Sequence, residues 1–156
     1  MDEYQAVEVV GVRVEMPSNA PIVLVRPITG GALLPIWIGP NEAAAIAMAQ
    51  QGVAAPRPLT HDLFIATLLQ LGTPLLSVRI TRLEEGVFFA ELVFAEQAVD
   101  ARPSDAIALA LRAGVPIMLS DEVLAEAGVA PDPDEDVDEV EQFREFLDTV
   151  TPQDFQ

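Results

Sequence analysis

The stretch from Leu34 to Phe64, LPIWIGPNEAAAIAMAQQGVAAPRPLTHDLF, constrains the fold most, because its punctuation leaves one reading. Leu33 to Ile38 is a short apolar run suited to a buried strand, although Pro35 points to an edge or a bulge. Gly39-Pro40 breaks the run. Asn41 is a good N-cap, Glu42 falls in the first turn, where the helix dipole favours negative charge, and strong helix formers continue to Gln51. Gly52 supplies the stop. Arg57-Pro58 keeps the crossing extended, and Thr60 can cap a second helix that runs to Leu71 and ends at Gly72. Glu42, His61 and Asp62 therefore collect at helix N-termini, where free N–H groups also gather.

Strands flank this unit. Residues 5–15 (QAVEVVGVRVE) alternate, with Val7, Val9, Val12 and Val14 on an inner face and Gly11 marking a bulge that shifts the phase. A turn at 16–20, a strand over 21–28 and the hairpin signal at Thr29-Gly30-Gly31 complete a three-strand meander. Residues 75–84 and 87–95 flank the hairpin dipeptide Glu85-Gly86. Val78 and Ile80 face inward, as do Phe88, Ala90, Leu92 and Phe94, which leaves Glu91 as a lone acid on the opposite face. A short strand follows at 97–101. In DARPSDAIALALRAGVPIML, Ser104 can cap and Asp105 opens a helix that is apolar all round, the mark of a buried one. Gly114 ends it, 115–119 is a buried strand, and Ser120 caps a short helix.

At 156 residues and 51% hydrophobic content, the chain is expected to form one folded domain. The expected fold is α/β of the α+β kind: a mixed, largely antiparallel sheet with packed helices over 1–130. An acidic linker and a C-terminal amphipathic helix follow over 131–156, with Val140, Phe143, Phe146, Leu147 and Val150 as its apolar face. No apolar run is long enough to span a membrane, and MDEYQ is acidic where a signal peptide is basic. With no cysteine to form a disulfide or a thiolate site, this points to the cytoplasm. The net charge of −17 argues against gripping phosphate backbones by bulk electrostatics. About half of that excess belongs to 131–156, where ten acids accompany one base, Arg144.

The residues able to carry chemistry are Glu42, Arg57, His61, Asp62, Glu91, Arg102, Ser104 and Asp105. A serine triad would need a nucleophile-elbow pattern around Ser104, which is absent. Zinc would need several His or Cys ligands, and the chain has one His. An oxygen-rich Mg²⁺ or Mn²⁺ site needs only carboxylates and water, which Glu42, Asp62, Glu91 and Asp105 can supply. Each has a plainer reading. Asp62, Ser104 and Asp105 are ordinary helix-start residues, His61 a hydrogen-bonded structural residue, Glu91 a solvent-facing edge residue, and Arg57 and Arg102 partners of nearby acids. Trp37 reads as core.

Three motifs, LPIWIGPNEAAAIA, RPLTHDLF and DARPSDAIALALRAGVPI, occur in the order and spacing of the bifunctional nuclease domain family, which the chain resembles over about residues 5–130. FREFLDTVTPQDF is similar to the end of bacterial members. The family comprises bacterial and plant proteins described as cleaving both DNA and RNA. The matching positions are Glu42, Arg57, Thr60, His61, Asp62, Arg102, Ser104 and Asp105. The charge departs from the resemblance, since an unspecific nuclease should welcome polyanions. The resemblance implies a metal-assisted nuclease with nucleic acid as substrate. On that reading His61, Asp62 and Asp105 are catalytic. Glu42, Asp62 and Asp105 hold Mg²⁺ or Mn²⁺, and Arg57, Thr60, Arg102 and Ser104 bind substrate. The alternative is a non-catalytic oligomeric or ligand-binding module in which the same residues form a structural network. The apolar content and the sheet edges point to a homo-oligomer, a dimer first, with no membrane partner.

Overall fold

Alternation along the strands builds one buried sheet face. The computed structural model describes residues 3–15 and 18–130; the amphipathic stretch at 140–150 lies outside them. Seven strands form a single sheet: β1 (Tyr4–Glu15), β2 (Ala20–Pro27), β3 (Leu34–Trp37), β4 (Ser77–Glu84), β5 (Val87–Val93), β6 (Ala98–Ala101) and β7 (Ile117–Ser120), in the order β3-β2-β1-β7-β4-β5-β6. All pairings are antiparallel except β4 with β7. The late strand β7 thus joins the N-terminal meander to the β4–β5–β6 meander. Register places Val7 opposite Ile117, Val78 opposite Ile117, and Ile80 opposite both Leu119 and Ala90. These side chains share one face and are all buried. Burying each large aliphatic here contributes about 2–3 kcal/mol.

Val9 and Val12 both pack on this core, although a spacing of three puts them on opposite faces of an unbroken strand. A register shift between Val9 and Gly11 resolves this and is the expected bulge. At the β4–β5 turn, Glu85 and Gly86 both take positive φ, the backbone that a two-residue hairpin needs.

Four helices complete the fold: α1 (Pro40–Gln51), α2 (Thr60–Gln70), α3 (Pro103–Ala113) and α4 (Asp121–Ala127). Helix α3 packs on β4 and β5 and also touches both α1 and α2. Its alanines at 106, 108 and 110 are fully buried and, with Ala43 and Ala45 of α1, allow a close approach.

Three helix starts differ from the reading by sequence. The N-caps are Gly39, Leu59 and Arg102, not Asn41, Thr60 and Ser104. Proline explains two of them: Pro40 and Pro103 fit the first helical position, where the missing N–H costs nothing, and so draw the start forward. Before α2, the Leu59 N–H is held by the Asp62 carboxylate at 3.2 Å. Trp37 is not core; on edge strand β3 it is 57% exposed. Glu91 is not alone, because register sets it opposite Arg79, its ion-pair partner, whose guanidinium also lies over the Tyr4 ring.

Candidate functional site

The first turns of α1, α2 and α3 meet through side chains. Arg102, the N-cap residue of α3, donates from Nε to Asp105 Oδ2 at 2.9 Å and from Nη2 to Glu42 Oε1 at 2.7 Å. Asp105 Oδ1 lies 3.1 Å from His61 Nε2. Glu42 of α1, His61 of α2, Asp105 of α3 and the N-cap residue Arg102 are thus one connected chain, whose links join residues 44 and 60 positions apart in sequence. The small residues of these helices make this possible, because bulky side chains would hold the helix starts apart. The dipoles of all three N-termini favour the two carboxylates.

The Arg102 side chain is 65% exposed, while Glu42 and His61 are 15% and 18% exposed. The Asp105 and Glu42 hydrogen bonds, with the charge of both carboxylates, raise the Arg102 pKa above its ordinary value. A raised base contributes stability that is fully present below its unfolded pKa and is lost only as pH rises through the folded value, so Arg102 keeps its contribution at every pH below the ordinary arginine pKa.

Asp62 takes another direction. Its Oδ1 accepts from Arg112 Nε at 2.7 Å and its Oδ2 from the Leu59 N–H, so its carboxylate serves α2 and the far end of α3. Arg112 was not visible as a site residue by sequence. It lies in the last turn of α3 and also donates to Ala108 O. Thr60 is exposed at the first position of α2, Ser104 is buried, and Arg57 is exposed with no ion pair to a described residue.

The carboxylates proposed by sequence as ligands, Glu42, Asp62 and Asp105, do not fit a resident Mg²⁺ or Mn²⁺. Among the described residues no three His, Asp or Glu groups are placed to hold a metal. The Arg102 guanidinium stands between Glu42 and Asp105, and Asp62 faces Arg112.

Gly39 is a second residue that the sequence did not single out as part of the site. A Cβ there would meet Glu42 Oε2 at 2.5 Å. Gly39→Ala is therefore expected to swing the Glu42 carboxylate away from Arg102 at a cost of roughly 1 kcal/mol, the worth of one exposed charge-assisted bond. Thermal melting of Gly39→Ala beside Glu42→Gln checks this: the double variant should be no worse than either single one.

An α/β domain whose polar residues converge from three helix N-termini defines the class, and comparison with known proteins narrows it. The bifunctional nuclease domain matches residues 23–132, and the chain belongs to that family. Uncharacterized proteins of Mycobacterium tuberculosis strains H37Rv and CDC 1551 / Oshkosh are 53% identical over 158 residues, covering 96% of each chain. Bifunctional nuclease 1 of Oryza sativa subsp. japonica and the bifunctional nuclease of Oryza minuta are 27% identical over 146 residues. Those alignments cover 87% of this chain and 44% of the plant proteins. No helix among the described residues is long and apolar enough to cross a membrane.

Proposed function

We propose that this chain is a nuclease that hydrolyses phosphodiester bonds of DNA and RNA where α1, α2 and α3 begin. The observation that carries the reading is the His61–Asp105–Arg102 linkage. In one tautomer His61 donates from Nε2 to Asp105, which leaves Nδ1 as an acceptor able to take a proton from water. That water attacks phosphorus. A new P–O bond forms, the bond to the leaving oxygen breaks, and the proton held on His61 passes to that oxygen. Arg102 and Arg57 face the charge that grows on the phosphate. Kinship with proteins named bifunctional nuclease supports the substrate class.

A second reading has its own support. Glu42, Asp62 and Asp105 are each already paired with an arginine, as expected of a structural network that locks three helices together. The two readings part at Arg57, which lies outside the network. Arg57→Ala is expected to raise KM for single-stranded DNA and RNA about 3- to 10-fold and leave the melting temperature within a degree, since one phosphate contact is worth about 1 kcal/mol. A wild-type protein with no cleavage, combined with a large fall in melting temperature for Asp105→Asn, supports the network alone.

A further inference from the structure

Helix α2 is covered on one side only. Seven residues of α3 are buried and none of α2 is, although α2 reads LFIATLLQ from Leu63 to its end. Ile65 and Leu68 turn toward the core. Helical spacing puts Leu59, Leu63, Ala66 and Gln70 along the opposite stripe, with Phe64 and Leu71 at one margin and Leu69 at the other. Leu59, Leu63, Phe64, Leu69 and Leu71, with Leu76 just beyond the helix, are 42–71% exposed. Beside Leu69 lies a hollow lined by Leu68, Pro74 and Leu75, with Arg112, the partner of Asp62, at its wall.

We infer that this face binds a second copy of the chain, with the α2 helices packed on each other about a two-fold axis. Two observations select that occupant. First, the six residues expose on the order of 500–600 Å² together, so a two-fold pairing buries about 1,000–1,200 Å² in total, the size at which specific interfaces begin. Second, each copy carries −17, and every residue from Leu63 to Val78 is uncharged. Copies that repel elsewhere meet least opposition here, and a face that must match itself suits an uncharged, apolar stripe. The pairing also covers the helix that presents His61.

Sedimentation of the full chain is expected to show a dimer at micromolar concentration. Its dissociation constant should tighten severalfold between 0.05 and 0.5 M salt, as like-charge repulsion is screened. Leu59→Glu with Leu63→Glu should weaken it at least 100-fold with an unchanged circular dichroism spectrum. The chain has no cysteine, so Leu63→Cys, Ala66→Cys and Gln70→Cys each carry a single thiol. At least one should oxidise to a disulfide-linked dimer, while Val99→Cys, exposed on β6, should not. A wild-type monomer at 50 µM overturns the inference, as it would if the chain's own segment at 140–150 covers α2. A dimer that survives the double Glu variant, a dimer that salt dissociates, or no cross-link at any of the three positions also overturns it.

Discussion

Asp62→Ala is expected to lower the unfolding free energy by roughly 2–3 kcal/mol, the largest stability effect of any single site residue. Its carboxylate does two tasks at once, pairing with Arg112 and holding the Leu59 N–H at the start of α2. The Arg112 side chain is only 10% exposed, so removing Asp62 strands a guanidinium that keeps one described hydrogen bond, to Ala108 O. Asp62 itself is 39% exposed, which holds the cost below the 3–5 kcal/mol typical of fully buried pairs. For a domain of this size the melting temperature should fall by roughly 6–12 °C. Arg112→Met in the same chain removes the stranded charge and should recover part of the loss. A single variant within 0.5 kcal/mol of wild type, or a double variant worse than the single, contradicts this account of Asp62.

His61→Ala is expected to cut kcat by about 10²–10⁴-fold, the range that a positioned general base contributes. The fold should tolerate it. His61 makes one described hydrogen bond, at 3.1 Å, and Asp105 keeps Arg102, so about 1 kcal/mol of stability is at stake. Asp105→Asn differs in kind. The amide oxygen can still accept from His61 or Arg102, but the carboxylate charge that His61 Nε2 faces is gone, and a kcat loss of at least tenfold is expected. The melting temperature should fall only modestly, because Glu42 still holds Arg102. Equal losses of stability and rate in both variants would mark them as structural residues.

Much of the sheet was legible because strand faces follow local alternation. Val7, Val78, Ile80, Ala90 and Leu92 are buried where the pattern puts them, and the Gly11 bulge follows from valines at the wrong spacing. The helix starts were legible only to one or two residues, since a good capping side chain at Asn41 or Ser104 loses to proline one place earlier. Trp37 departs from its expected place in the core because hydrophobicity speaks of average burial, while exposure on β3 depends on which strand ends the sheet. The polar pairings lay further out of reach. That His61 meets Asp105 follows from two small-residue helices packing side by side. That neighbouring Asp62 turns to Arg112 depends on the relative rise of α2 and α3, which no local pattern encodes.

The central claim is that His61 and Asp105 act on a phosphodiester, and one measurement tests it most directly. Cleavage of labelled single-stranded DNA and RNA is compared between wild type and His61→Ala with Asp105→Asn, purified identically, in Mg²⁺, in Mn²⁺ and in EDTA. The account predicts that wild type cuts both substrates, and that the double variant loses at least 100-fold in every condition that supports cleavage, with its fold intact by circular dichroism. Wild-type protein that cuts neither substrate, or a folded double variant that cuts as fast as wild type, would contradict it.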